Sequence, residues 1–361
     1  MARYLVVLNL SSRENQDAPI FTSHPEAEFL HTGVGQDIFG MQKRPTREII
    51  TDARNGKYDL VISGRSEFPA FNPRKGFFRN LFNVSSKLLC QPHLLSGKFP
   101  YAKISTSLVG LDCRCCPVID NGRFQELDRA VCYFKRDLPQ NPCNAFLYTH
   151  PKTECSLNVL RTEPFTRWVN KLRPISLGIN DAQAAKLAVI NAPKTTDVFF
   201  AGDIAFKPNR VAGIKQLERL KSEGLKIDIA TERLPHDEFI RRCAQARLVW
   251  SPEGVAWDCY RHYEVGATGS VPLMLSPPSY CYAPFRDNEN AVYYYPEGDH
   301  LAQRIRQALQ DRARLVAMGQ AARQHVLQWH THLALSRYVI DETRRTLAAS
   351  PTVFTSMPVV I

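Results

Sequence analysis

Arg261 and Glu264 stand three positions apart in the stretch from Ser251 to Met274, so a helix there presents both on one face. A guanidinium grips phosphate oxygens through charge-assisted, bidentate hydrogen bonds. A carboxylate is a pure acceptor and takes the two hydroxyl protons of a ribose. Gly254 precedes the pair, and Gly269 and Pro272 follow it, a pattern of glycine loop, short helix and tight turn that lets backbone approach a ligand. The first turn of such a helix aims N–H groups at an anion. Anion and polyol held together suit a nucleotide sugar. Asp258 and His262 are placed to orient the pair, whereas Tyr260 and Tyr263 read as packing residues. The plain alternative for Arg261 is a surface salt bridge to Glu264 or Asp258.

Two other segments belong with this one, because open α/β sheets bind ligands beyond the carboxyl ends of their strands. Gly202-Asp203 ends an apolar run and leads to Lys207 and Arg210, which can reach phosphate oxygens. Arg210 is the better placed, on the first turn of its helix. Thr231-Glu232-Arg233 ends a second run, and Ser251-Pro-Glu253-Gly254 a third. The donor-binding set is then Gly202, Lys207, Arg210, Glu232, Ser251, Glu253, Gly254, Asp258, Arg261, His262 and Glu264.

The elements that must position these residues are clear in the second half. Strands are expected at 197–202, 226–230, 248–250, 271–275 and 290–295. Helices are expected at 210–222, 235–246, around Arg261 and Glu264, and then at 299–310, 313–329 and 332–347. Alternating strands and helices with glycine at the turns mean a parallel sheet covered on both faces, a doubly wound, Rossmann-like domain. The first half alternates less regularly. Strands are expected at 4–8, 58–63 and 102–108 and helices near 46–54 and 77–89, while 113–160, rich in Cys, Pro and Asn, resists assignment. The boundary falls at about 185–196, which divides the chain into 1–190, 191–330 and a C-terminal helix and tail over 331–361, with a cleft between the two domains.

Composition narrows the partners. The chain has 361 residues, 44% hydrophobic and 22% charged, ordinary for a globular protein and long enough for two domains. No run of about 18 apolar residues is present to cross a membrane, and Met1 to Leu10 reads as a buried strand rather than a leader. A net charge of +11 favours anionic partners. Its basic residues are scattered rather than gathered with aromatics, which makes nucleic acid a minor reading. Peripheral contact with an anionic membrane, from the cytoplasmic side, is the stronger use of the charge. Ten cysteines lack paired C-x-x-C knuckles, so Cys113, Cys115 and Cys116 are expected as reduced, buried hydrophobes rather than zinc ligands.

The block from Ser251 to Met274 resembles the donor-binding signature of GT-B glycosyltransferases, especially exostosin-like ones, where Gly, Arg, Glu, Gly and Pro recur in this order. Tyr133 to Leu138 and Pro174 to Gly178 are similar to segments of related bacterial glycosyltransferases. The resemblance implies two Rossmann-like domains facing a cleft, with final helices crossing back to the first. It implies transfer of a sugar from a nucleotide donor to a glycan or lipid-linked acceptor without a cofactor or metal, Arg261 neutralising the leaving diphosphate. Many retaining members carry two glutamates eight positions apart. Here Ala256 stands eight before Glu264, and Glu253 eleven before, so inversion is expected. Inversion needs a general base from the first domain. Asp112 ranks first and Glu67 second, ahead of His31 and Asp37, which flank Gly33 and Gly35 in an expected loop. The alternatives are a nucleotide-sugar epimerase, a DNA-modifying transferase and a non-catalytic nucleotide- or polyanion-binding module.

Overall fold

The computed structural model describes residues 3–8, 19–31, 46–64, 106–119, 123–147, 166–205 and 207–349. The chain forms two compact units, Met1–Ile175 with Leu335–Ile361, and Ser176–Ala334.

In the first unit, β1 (Tyr4–Leu8), β2 (Ala27–His31), β3 (Leu60–Ser63), β4 (Ser107–Asp112), β5 (Ala130–Lys135) and β7 (Leu172–Pro174) form a parallel sheet in the order β2-β1-β3-β4-β5-β7. The two-residue β6 (Leu138–Pro139) lies outside it. Helices α1 (Thr46–Arg54), α2 (Phe124–Arg129), α3 (Asn144–Leu147) and α4 (Thr166–Val169) connect the strands. Three expectations change here. His31 is the last residue of β2, paired with Leu8, not part of a loop. β4 begins at Ser107 instead of Ala102 and runs on to Asp112, because the apolar run Leu108 to Leu111 is what the sheet buries. Gly110 is required inside that run, since a Cβ there would lie 2.3 Å from the Tyr133 ring. The stretch that resisted assignment holds β5, buried over its whole length, with Lys135 inside. A buried lysine in an otherwise apolar strand hides it from pattern reading. The expected helix at 77–89 lies outside the described residues.

The second unit is more regular. β8 (Thr196–Ala201), β9 (Ile227–Ala230), β10 (Ala246–Ser251), β11 (Val271–Leu275) and β13 (Val292–Tyr294) form a parallel sheet in the order β13-β11-β10-β8-β9, and β12 (Ser279–Tyr280) stands apart. Its helices are α5 (Asp181–Ala188), α6 (Pro208–Ser222), α7 (His236–Gln245), α8 (Tyr260–Ala267), α9 (His300–Leu309) and α10 (Arg312–Trp329). Three consecutive β8 residues, Val198, Phe199 and Phe200, are completely buried, as expected for a strand covered on both faces. The two-residue period sends Val198 and Phe200 into one apolar layer with Leu248 and Trp250, and Phe199 into the opposite layer with Val249. Burying each such side chain contributes about 1.5–3 kcal/mol. Trp250 covers the backbone of α6 at Gly213, where a Cβ would meet its indole at 2.3 Å, and its Nε1 donates to the Tyr294 hydroxyl at 3.0 Å.

α11 (His332–Ala349) starts in the second unit and passes into the first from Leu335 onward. There Tyr338 packs edge-on against Phe134 and donates to the Pro174 carbonyl, Arg173 pairs with Glu342 at 2.7 Å, and Arg344 donates to the Tyr4 hydroxyl. The last helix thus returns to the first unit, as the resemblance implied. Among the described residues, no helix is long and apolar enough to cross a membrane.

Candidate functional site

Strand order locates the site before any side chain does. From β8 the chain moves outward to β9, then crosses back over β8 to β10 and continues to β11 and β13. The direction of winding therefore reverses between β8 and β10, which opens a crevice at their carboxyl ends. Gly202 leaves β8 at that point, and the loop from Ser251 to Gly254 leaves β10 beside it.

Gly202 has φ +152°, a conformation that L side chains rarely adopt. The position a Cβ would take is 3.2 Å from Nη2 of Arg261 and 3.7 Å from Nη1 of Arg210, so two guanidinium groups converge on this glycine. Arg210, on the first turn of α6, donates to the carbonyls of Asp203 and Glu253 at 2.9 and 2.7 Å. Burial, then the charge of Arg261, lowers its pKa. Arg261, on the first turn of α8, lies over the rings of Phe200 and Phe239, 5.8 and 5.9 Å from their centroids. It has no hydrogen bond or ion pair to any described residue, and its Nη1 is buried. Neither Glu264 nor Asp258 neutralises it, so the plain salt-bridge reading does not hold. The charges of Asp203 and Glu253 offset only part of the repulsion between Arg210 and Arg261, and an anion placed between the two guanidiniums relieves it further.

The remaining residues of the donor-binding set divide into three groups. Ser251, Asp258 and His262 are buried and hold up the loop and helix from within. His262 Nε2 donates to the Trp257 carbonyl at 2.8 Å, and Nδ1 is hydrogen-bonded to the Ser251 hydroxyl at 2.8 Å. Asp258 accepts from the Leu177 N–H at 2.8 Å and the Tyr263 hydroxyl at 2.5 Å. Glu253 is occupied by Lys207 at 3.2 Å and by the Asn209 amide at 3.0 Å, so Lys207 acts through Glu253. Gly254 closes the loop by donating to the Ala256 carbonyl at 3.0 Å. Glu232 is exposed just past β9. Glu264, the acceptor of the set, bonds residues of α5 and α7 instead of Arg261. Its Oε1 accepts from Gln183 Nε2 at 2.8 Å and from His236 Nε2 at 2.9 Å.

Gln183, His236, Phe239 and Cys259 were not among the residues singled out by sequence. Gln183 lies 81 positions from Glu264, and no spacing signal reaches that far. The Phe239 ring is in contact with both His236, 6.4 Å between centroids, and the Arg261 guanidinium, 5.9 Å from its centroid. Cys259 precedes α8, whose first turn has no side-chain cap. Burial opposes ionisation of its thiol, but His262, 3.5 Å away, and Arg261 bring it down to about 7. A spacing that is poor for metal ligands gave no hint of this.

In the first unit, Asp112 does not have the surroundings of a general base. It is completely buried at the end of β4, bonded through both oxygens to Arg114 at 3.0 Å, with the Tyr133 hydroxyl at 3.3 Å and Lys135 at 3.8 Å. Burial favours its neutral form, but Arg114, Lys135 and Arg123 overcome that and hold it far below the usual carboxylate range. A carboxylate so enclosed neither meets an acceptor hydroxyl nor takes up its proton. The Tyr133–Leu138 segment belongs to the same buried network, in which Lys135 donates to the carbonyls of Cys116 and Arg136. Glu67 and Asp37 lie outside the described residues. Among the described residues, no three His, Cys, Asp or Glu side chains converge as metal ligands.

Comparison with known proteins bears on the fold and on one segment of the chain. Residues 212–339 match a family model described as glycosyl transferase-like, a segment that includes Arg261 and Glu264. No curated protein matches the chain by sequence. Among solved structures, the chain is similar to a glycosyltransferase from Rickettsia africae ESF-5, with 12% identity, 96% of this chain and 98% of that chain covered, and a TM-score of 0.50. It is similar also to the α,α-trehalose 6-phosphate synthase of Burkholderia multivorans, with 11% identity, 100% of both chains covered and a TM-score of 0.51. At these identities the likeness is one of fold. The chain has the GT-B glycosyltransferase fold, built of two Rossmann-like units, and its second unit carries a glycosyl transferase-like segment.

Proposed function

We propose that the protein transfers a sugar from a nucleoside-diphosphate donor to a glycan or lipid-linked acceptor, with inversion and without a metal. The observation that carries this reading is the convergence of Arg210 and Arg261 on Gly202, with Arg261 left unpaired by any described residue. The donor diphosphate lies against these guanidiniums and the uncapped start of α8. As the glycosidic bond to the donor breaks, negative charge builds on the leaving phosphate. Two fixed cations in a partly buried site stabilise that charge and take the part a divalent metal plays elsewhere. Glu264 takes the ribose hydroxyls. Phe239 touches both Arg261 and His236, the partner of Glu264, so ribose and diphosphate bind at neighbouring points of one surface.

The test is a thermal-shift series with UDP, GDP, ADP, CMP and their sugars, since a ligand bound only by the folded state raises Tm. One nucleotide family is expected to stabilise the wild type. Arg261→Ala should weaken that ligand about tenfold, the worth of a charged hydrogen bond. It should lower turnover roughly 100-fold, as expected for a group that acts mainly in the transition state. A wild type that no nucleotide stabilises overturns the reading. EDTA should leave turnover unchanged, and loss of activity that added Mg²⁺ restores would remove the metal-free part.

A further inference from the structure

We propose that His236 and Gln183 are positioning residues that set Glu264 for a vicinal diol, and so make the site selective for ribonucleotides over deoxyribonucleotides. This inference rests on the donor-site reading above. A glutamate on a helix has several rotamers, and an exposed one samples them all. Glu264 does not. Its Oε1 receives two N–H donors from two other helices, Gln183 on α5 at 2.8 Å and His236 on α7 at 2.9 Å. Each carboxylate oxygen has two acceptor positions, so Oε1 is filled by protein alone. Oε2 accepts from no described residue, and the side chain retains 13% exposure.

One oxygen is therefore anchored and the other is left for incoming donors. Two adjacent hydroxyls supply two O–H donors, the complement of the two acceptor positions on Oε2. A 2′-deoxyribose supplies only one, and leaves part of a largely buried carboxylate unsatisfied. Rejection of an analogue that lacks the hydroxyl a site was built to bind is stronger than rejection by shape alone. His236 is 57% exposed at its side chain, more than an interior fold contact requires. Its ring also rests 6.4 Å from Phe239, which links the anchored carboxylate to the ring beneath Arg261.

The experiment measures Kd for UDP, GDP and ADP and for their 2′-deoxy and 3′-deoxy counterparts. It uses the full chain as wild type, His236→Ala, His236→Gln, Gln183→Ala and Glu264→Gln. Wild type should prefer the ribonucleotide at least tenfold. His236→Ala and Gln183→Ala should each shrink that preference several-fold, with affinity for the deoxy analogue nearly unchanged. His236→Gln keeps an N–H donor and should restore much of the preference. Loss of preference in proportion to a fall in Tm, with ribo and deoxy ligands weakened equally, would mean a structural role and overturn the proposal. Wild-type discrimination in both alanine variants would overturn it as well. No ribonucleotide binding to the wild type would instead sink the donor-site reading on which it stands.

Discussion

At the scale of single residues, the site depends on side chains that are not satisfied within the fold. Most cations described in the second unit have a partner: Arg242 pairs with Glu238, Arg304 with Asp287 and Arg306 with Glu223. Arg261 has none among the described residues, and it lies in the crevice where strand order reverses. Gly202 allows this approach because it has no Cβ and tolerates φ +152°. Gly202→Ala should strain the backbone by about 1–3 kcal/mol. It should also place a methyl 3.2 Å from Arg261 Nη2, tighter than most Cβ contacts. The expected result is a lower Tm together with weaker nucleoside-diphosphate binding, read by calorimetric titration. Unchanged affinity would mean that the diphosphate does not lie at this turn.

At the scale of elements, the end of α10, where the His330 ring lies 4.7 Å from that of Tyr263 on α8, is held by buried polar contacts with a pH signature. His330, at the end of α10, donates from Nε2 to the Ala283 carbonyl at 2.9 Å and accepts at Nδ1 from the Ser176 hydroxyl at 2.9 Å. Burial, and secondarily the neighbouring His325, hold its pKa down to about 3. An unfolded histidine titrates near ~6.5. Between these values the unfolded chain binds a proton that the folded chain refuses, so stability rises with pH across that window. The contribution is complete above about pH 6.5 and is lost progressively as pH falls toward 3, at no more than about 1.4 kcal/mol per pH unit. Thermal denaturation from pH 7 to pH 4 should show a falling Tm, and a shallower fall in His330→Asn. Equal slopes in the two proteins would show that His330 is not the group responsible.

At the scale of the whole molecule, a net charge of +11 meets a surface on which many cations are already paired. Arg219 bonds Asp299, Arg306 bonds Glu223, and Arg241 and Arg242 share Glu238. Exposed pairs are worth little in stability, but they dilute the field that attracts an anionic surface. Flotation with liposomes rich in anionic lipid should therefore recover the protein at low salt and lose it near 0.15 M, where the Debye length is about 8 Å. Binding that ignores salt would point to an apolar contact instead, and no binding at low salt would end the membrane reading.

Much of the second unit was legible in the residues alone. A strand buried on both faces must be apolar at both parities, and an amphipathic helix must repeat near 3.6, so β8 to β11 and α6 to α10 emerge within a few residues of their observed bounds. Arg210, Arg261 and Glu264 were legible because glycine turns mark the strand ends beside them. The partners of these groups were not. Whether Arg261 meets Glu264 or Gly202 depends on strand order, which brings the starts of α6 and α8 to neighbouring strand ends from opposite faces of the sheet, although some fifty residues of chain separate them. Gln183 and His236 reach Glu264 only through the packing of α5 and α7 on α8. Asp112 shows the same limit from the other side. A carboxylate at a strand end has the local pattern of a catalytic base, and only the neighbouring strand, with Lys135 and Tyr133, closes it off from substrate. Local periodicity follows from covalent geometry and needs no neighbour, whereas burial and charge pairing are properties of segments brought together from far along the chain.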